Sequence, residues 1–305
     1  VGAFLLAELL KKFPSTCKLM CLVRRELDRI RKTMEFYQLW KDEFDERIIG
    51  LQGDLTKEQF GFDKEFYCDL TKKIDLIYHC GAIVNFTFSY SKLYDTNVNG
   101  TREIIRFATY SSTFIPIHYT STMSAVDLHH LKTGYSQSKW VAERLMLKAS
   151  QLGLPVIIYR LGSMGPNTET GACNPNDINT LLVTTIIETG VYPSMLVDSK
   201  MQILPIDIAV QRILSFYNNQ FEQYGQIYSI VNNHDVIPLQ FIFDRIRQLD
   251  ISLECISNDA WKTDYFDLFS SYFSKRKLQQ NDNRYENNVY IDKWLLFIQK
   301  QSKNC

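Results

Sequence analysis

The sequence has 305 residues, 45% of them hydrophobic, and its 34 basic side chains are balanced by 34 acidic ones. Such a chain can bury a large core, enough for one large α/β domain or for a domain with a smaller companion. With no long block of like charge it lacks the electrostatic footprint of a nucleic-acid or anionic-membrane binder, so small molecules or other proteins are the expected partners.

Its seven cysteines (Cys17, Cys21, Cys68, Cys80, Cys173, Cys255 and Cys305) are scattered, odd in number and free of any Cys-x-x-Cys. That pattern argues against a disulfide framework and a zinc site, and it fits small core residues of a reducing compartment, the cytoplasm.

Val1 to Leu10 is largely apolar, yet Glu8, Lys11 and Lys12 share a helical stripe and the run is too short to cross a bilayer. It reads as a core helix that ends at Lys11 and Lys12 and is closed by Pro14. Residues 17–23 follow as a short buried strand, and Glu26 to Trp40 carries Leu27, Ile30, Met34 and Tyr37 at helical spacing. The strand pattern returns at 48–54, 76–82, 115–120 and 156–160, with helical segments between most of them. This alternation predicts an α/β fold with a Rossmann-like, doubly wound parallel sheet, whose ligands lie beyond the carboxyl ends of the strands.

The chemistry-bearing residues fall at those ends. After Val23 come Arg24 and Arg25, where an acidic residue would suit the ribose hydroxyls of NAD and a guanidinium suits the 2′-phosphate of NADP. The competing reading, a basic helix start, is weakened because arginine is poor in a first helical turn. Asp54 and Leu55, after Gly53, could bracket an adenine or form an ordinary turn. Gly81 and Ala82 end a further strand; their small size suits either a dinucleotide lying on the backbone or close helix packing. A dinucleotide fold normally opens with a strand and a glycine-rich phosphate cradle. Here Gly2 stands where the last glycine of that cradle would be, so the expectation is a sheet whose first strand precedes Val1.

The stretch Gly134 to Glu143 contains Tyr135 and Lys139 at helical i,i+4 spacing, on one face of a helix. An ammonium beside a phenol draws its pKa down from about 10, which makes an acid usable near neutral pH. Among 17 tyrosines the spacing alone proves little. A second hydroxyl could come from Ser121 or Thr122, but neighbouring strand residues face opposite ways, so only one of them can join the tyrosine. Asn97 suits either a site role or a helix N-cap.

These pieces resemble the thioester reductase domains of the extended short-chain dehydrogenase/reductase superfamily, which end some nonribosomal peptide synthetases, carboxylic acid reductases and aminoadipate reductases. The resemblance is carried by Val1 to Leu6, Tyr78 to Ala82, Asn97 to Thr101, Tyr119 to Thr122, Gly134 to Glu143, Tyr159 to Gly162, Gly190 to Pro193 and Leu204 to Asp207. It weakens beyond Gln226 to Asn232. It implies that Tyr135 gives a proton to the carbonyl oxygen being reduced, that Lys139 holds the nicotinamide ribose, that Thr122 rather than Ser121 binds the same oxygen, and that Asn97 supports the lysine through water. It further implies NADPH as cofactor, with Gly2, Arg24, Arg25, Asp54, Leu55, Gly81, Ala82, Tyr135 and Lys139 as its contacts. The implied substrate is a thioester on the phosphopantetheine arm of a carrier domain, in the same polypeptide, released as an aldehyde or reduced further to an alcohol. The alternatives are a fatty acyl-CoA reductase or another extended short-chain dehydrogenase/reductase, or a non-catalytic module of this fold that has lost cofactor binding.

The remaining features are bland. His118, His129 and His130 show no metal-ligand spacing, and no metal site is expected. Asn85-Phe86-Thr87 is a nominal glycosylation sequon placed in the expected cofactor loop. Pro166 to Asp177 reads as a loop, and 178–197 and the segment from Val236 onward as a smaller substrate lobe. The expected organisation is a cofactor domain over 1–165 and a substrate lobe over 166–305, with 200–235 returning to the first. Gln279 to Asn288 reads as a polar loop before a helix at Ile291 to Gln299.

Overall fold

The computed structural model describes residues 1–126, 131–218, 220–232 and 236–265. His129, His130 and the loop and helix expected at 279–299 lie outside them. In chain order the elements are α1 (Gly2–Lys12), β1 (Leu19–Val23), α2 (Arg29–Phe36), β2 (Ile48–Gln52), α3 (Lys64–Lys73), β3 (Ile77–His79), α4 (Tyr90–Leu93), α5 (Gly100–Ala108), β4 (Ile117–Thr122), α6 (Gly134–Gln151), β5 (Val156–Leu161), β6 (Ser163–Gly165), α7 (Ile178–Thr189), β7 (Val191–Pro193), β8 (Lys200–Pro205), α8 (Ile206–Ser215), α9 (Gln220–Gln223), β9 (Ile227–Ile230), β10 (Val236–Pro238), α10 (Leu239–Arg247) and β11 (Glu254–Ile256). They divide into two compact units, Val1–Gly162 with Ile208–Val231, and Ser163–Asp207 with the described part of Asn232–Cys305.

The first unit holds the parallel α/β architecture that alternation predicts. A four-stranded parallel sheet runs in the order β3-β4-β5-β9, and β1 and β2 form a further parallel pair. Register is set by apolar pairs such as Ile77 with Ile117, Ile117 with Val156, and Ile158 with Ile227. The core packs Tyr67 and Leu70 of α3, Ile104 and Phe107 of α5, and Ala142 and Met146 of α6 against Ile117, Tyr119, Val156 and Ile158 of the sheet. Such strands are buried on both faces and so read as continuous apolar runs. A smaller cluster joins Ala7 and Leu10 of α1 to Met34 of α2 and to Phe44.

Element ends differ from the sequence expectation in ways that matter. The strand expected at 115–120 runs as Ile117–Thr122, so both candidate hydroxyl residues end a strand rather than open a loop. The helix expected from Glu26 begins only at Arg29 and stops at Phe36, and Gln38 adopts a positive φ of 57° beyond it. Asn97 does not cap a helix: it lies inside a π-helical turn, Tyr94–Asn99, that joins α4 to α5. The extra residue of such a turn re-aims side chains inward, and these turns are frequent at functional sites.

In the second unit β8 is central, parallel to β6 and antiparallel to β10, while β7 pairs in parallel with β11. Its core is separate: Val183, Ile186, Tyr192, Met201, Ile203, Leu239, Ile242, Phe243 and Ile246, with the Tyr192 and Phe243 rings stacked at 4.1 Å. Gly190 closes α7 in the left-handed region (φ 71°), which a glycine enters without a Cβ clash. Among the described residues no helix is long and apolar enough to cross a membrane.

A buried charge ties α6 to the sheet. Glu143 is 0% exposed; its carboxylate accepts from Arg160 Nη2 at 2.6 Å and Nε at 3.1 Å on β5, and from the Ser121 hydroxyl at 2.6 Å on β4. A charge held this deeply depends on its partner, and removing one member leaves the other uncompensated. Glu143→Gln is therefore expected to destabilise the protein by about 3 kcal/mol, and urea unfolding of the single variants and of Glu143→Gln/Arg160→Met, where the double costs less than the sum, checks it.

Candidate active site

The amino end of α6 is held from two sides. Thr133 accepts from the backbone N–H of Ser136 at 3.1 Å, and the Ser136 hydroxyl accepts from the Thr133 N–H at 3.2 Å, a reciprocal capping box. At Gly134 a Cβ would lie 2.4 Å from the Phe88 carbonyl oxygen and from the Tyr90 nitrogen, so only glycine lets the 83–90 loop lie directly on the helix. The next residues, one turn apart, present Tyr135 (8% exposed) and Lys139 (4% exposed) to the interior.

The Thr122 hydroxyl accepts from the Ser124 N–H at 3.2 Å and also acts on the Tyr135 phenol. Ser121 is turned away to Glu143, so the two neighbouring hydroxyls serve different partners, as strand alternation requires. Lys139 Nζ donates to the Tyr119 hydroxyl at 2.7 Å and to the Thr120 carbonyl at 2.8 Å, and sits 4.3 Å from the centre of the Tyr119 ring.

Burial governs the charges here. Desolvation brings Lys139 down to about 7, offset in part by Cys80 and Glu143. Burial also pushes Tyr135 up to about 12, with the neighbouring Thr122 side chain opposing the rise. The expectation that Lys139 draws the phenol down is thus corrected: its donors go to Tyr119 and Thr120, and removing the phenolate from water costs more than any nearby cation returns. His79, at the end of β3, is fully buried and lowered to about 3 by desolvation and by Lys139, so its ring is neutral.

Asn97 organises the loop that faces this helix. Its Oδ1 accepts from the Ile83 N–H at 2.8 Å, and its Nδ2 donates to the Ile83 carbonyl at 3.1 Å and to the Ser138 hydroxyl at 2.9 Å. Ser138 in turn donates to the Tyr135 carbonyl at 2.9 Å. In the same loop Asn85, 4% exposed, gathers three donors on Oδ1 from Thr87 and Phe88, while its Nδ2 has no hydrogen-bond partner among the described residues. Phe86 packs edge-on against Tyr135 at 5.3 Å. Beside it opens a cavity of about 430 Å³ lined by Phe86, Met123, Ser124, Val126, Lys132, Thr133 and Ser136.

The strand-end residues form a second group. Arg24 and Arg25 are exposed just beyond β1. Asp54 accepts from the Thr56 N–H and hydroxyl, both at 2.9 Å. Burial opposes its charge, but these bonds and the Arg24 guanidinium outweigh that and hold the carboxyl below its usual range. A Cβ on Gly81 would lie 2.6 Å from Leu55 Cδ1, and Gly100 leaves 3.0 Å to Leu55 Cβ, so Leu55 is seated between two glycines. Ala82 is half-buried beside it. A Cβ on Gly2 would stand 3.8 Å from Cys80 Cβ, in ordinary contact. Burial pushes the Cys80 thiol up, with Lys139 opposing the rise, so this residue joins the two groups.

Tyr119, Ser138, Glu143 and Asn85 are the members that reading the sequence for site chemistry does not single out. Tyr119 and Ser138 lie inside quoted motifs, but their polar atoms become informative only once their partners are known. Asn85 was visible as a sequon; its burial removes it from the surface where glycans attach. His118 is a core residue, bonded through Nδ1 to the Tyr159 hydroxyl at 2.9 Å. The described residues hold no group of three metal-capable side chains.

Comparison with known proteins identifies the family. The NAD-binding family described as Male sterility protein matches residues 1–133 and 125–213. A linear gramicidin synthase of Brevibacillus parabrevis is 34% identical over 284 residues, 86% of this chain, and the non-canonical nonribosomal peptide synthetase FrzA of Cladobotryum sp is 32% identical over 241 residues, 70% of this chain. The chain spans only 5% and 23% of these relatives. The terminal R domain from the myxalamid PKS-NRPS biosynthetic pathway superposes with a TM-score of 0.81 at 33% identity, covering 94% of this chain and 77% of that one. The chain belongs to the NAD-binding family described as Male sterility protein, as a thioester reductase domain of the extended short-chain dehydrogenase/reductase superfamily.

Proposed function

We propose that this domain uses NADPH to release a carrier-bound acyl or aminoacyl thioester as an aldehyde, with further reduction to an alcohol open to the same site. The observation that carries the reading is the convergence of Tyr135 and Thr122 one helical turn from a buried Lys139. The small share of each long relative that the chain spans supports a carrier domain in the same polypeptide, its phosphopantetheine arm presenting the thioester. Among the described residues no cysteine is joined in a disulfide, which supports a cytoplasmic setting.

The side chains fit a nicotinamide dinucleotide by the chemistry of their donors. Arg24 and Arg25 offer exposed guanidinium forks suited to a 2′-phosphate. Asp54 and Leu55 would flank the adenine, the backbone at Gly81 and Ala82 and the helix start at Gly2 would lie along the pyrophosphate side, and Lys139, with one donor left after Tyr119 and Thr120, would hold the nicotinamide ribose. The unpaired, buried Nδ2 of Asn85 supports a bound acceptor near the same loop. Asn97 keeps that loop on α6.

A bound nicotinamide cofactor would supply the hydride for the thioester carbonyl carbon. Negative charge then builds on the carbonyl oxygen, and the Tyr135 O–H gives its proton to that oxygen while the Thr122 hydroxyl donates a hydrogen bond to it. A phenol held at about 12 is fully protonated at neutral pH, so it enters the step as an acid. The resulting hemithioacetal collapses as the C–S bond breaks: the electron pair leaves with sulfur, the hydroxyl proton passes back to Tyr135, and the aldehyde carbonyl re-forms. The Phe86, Met123 and Val126 side of the adjoining cavity suits an apolar part of the acyl group.

In the full-length protein, Tyr135→Phe is expected to lower kcat about 10³-fold, the scale of general-acid catalysis, with NADPH affinity unchanged by fluorescence titration; turnover at the wild-type rate removes Tyr135 from the mechanism. Lys139→Ala is expected to reduce both turnover and NADPH binding. Arg24→Ala is expected to weaken NADPH about tenfold or more while NADH is nearly unaffected, and equal losses for the two cofactors would overturn the 2′-phosphate assignment. Incubation with NADPH and a panel of acyl-pantetheine thioesters tests the reaction itself, by the appearance of aldehyde.

A further inference from the structure

We infer that Tyr119 is a positioning residue for Lys139: its hydroxyl, fixed in a buried strand, takes one of the ammonium's three donors and so aims the amine. The inference rests on the function proposed above for what Lys139 does, and on geometry alone for how Lys139 is held.

The contacts can be followed atom by atom. Lys139 Nζ donates to the Tyr119 hydroxyl at 2.7 Å and to the Thr120 carbonyl at 2.8 Å. Thr101, whose side chain acts on the Tyr119 phenol, donates through Oγ1 to the Asn97 carbonyl at 2.8 Å and lies 3.3 Å from His79 Nε2. The Asn97 amide donates to Ser138 Oγ at 2.9 Å, and Ser138 Oγ donates to the carbonyl of Tyr135 at 2.9 Å. Asn97 and Ser138 thus each donate and accept, the condition under which a buried polar network orders its residues.

Tyr119 suits the task because it cannot move. It is fully buried in β4, paired in register with His79 on one side and Ile158 on the other, and its ring lies 5.4 Å from that of His79. Burial pushes its phenol far above the ordinary tyrosine range, so it stays a neutral acceptor. A lysine has a flexible stem and three donors; Tyr119 and Thr120 take two, and the third is left in one direction. The titratable groups around Lys139 are Tyr135 and Glu143 on α6, Tyr119 on β4, and His79 and Cys80 at the end of β3. Of these Tyr119 is the one whose oxygen touches the amine.

Asn97 has a place in the site without direct contact with Lys139: it holds Thr101 with its carbonyl and Ser138 with its side chain. The two ends of that asparagine thus tie α5 to the backbone of the proposed acid, Tyr135.

The test uses Tyr119→Phe, which removes one oxygen and keeps the ring. With lysine labelled by ¹³C at Cε, and the Lys139 signal identified by its loss in Lys139→Arg, the pH titration of Lys139 is read without cofactor or substrate. Losing the acceptor disfavours the ammonium, so the midpoint is expected to fall by about one pH unit or more, with the melting temperature little changed. In the assay, the limb of kcat/KM that follows Lys139 is expected to move the same way. Thr101→Val, which loosens the anchor without touching Lys139, is expected to shift the midpoint less and in the same direction, and it serves as the readout if Tyr119→Phe does not fold. An unchanged Lys139 midpoint in the folded variants overturns the inference. A shifted midpoint in a protein that reduces no thioester upholds it and overturns the functional reading instead.

Discussion

The site depends on one ammonium carried out of water. Lys139 is enclosed by β3, β4 and its own helix, and desolvation brings its pKa to about 7. A lysine in that condition is easily neutralised or displaced, and its placement rests on the two oxygens that accept from it, one a phenol and one a main-chain carbonyl. The carbonyl belongs to the sheet, so the position of the amine is tied to the register of β4 between β3 and β5.

A second charge lies one turn further along α6 and is handled differently. Glu143 is completely buried but meets Arg160 with two of its nitrogens and Ser121 with a hydroxyl. Its partner geometry is saturated, which suits a fastener between helix and sheet. Lys139 keeps a donor in reserve, which suits a residue that meets a ligand. Glu143 also feeds back on the lysine by favouring its charged form, so the structural charge helps to keep the functional one protonated.

The loop after β3 depends on this arrangement in turn. It is clamped by Asn97 at Ile83, folded on itself by Asn85, and laid against α6 where Gly134 has no side chain. The π-helical turn that contains Asn97 supplies the extra residue that points its amide back toward Ser138. Backbone irregularity and a missing Cβ thus do the same work from opposite sides, bringing Phe86 onto Tyr135.

The sequence by itself determined the parallel α/β class, the helix carrying Tyr135 and Lys139, and the family, because apolar periodicity and motif spacing are local properties written along the chain. It also pointed to Arg24 and Arg25 at a strand end, since charge after a buried strand is visible without coordinates. Tertiary structure alone decided that Ser121 serves Glu143, that Leu55 sits between Gly81 and Gly100, and that Asn97 lies in a π turn instead of capping a helix. It also reversed the expected effect on the Tyr135 phenol, which rises to about 12 where proximity to lysine suggested a fall. The reason is common to these cases: desolvation and the choice of hydrogen-bond partner depend on what encloses a group, and for Lys139 the enclosing oxygens come from residues 20 and 19 positions away in the chain.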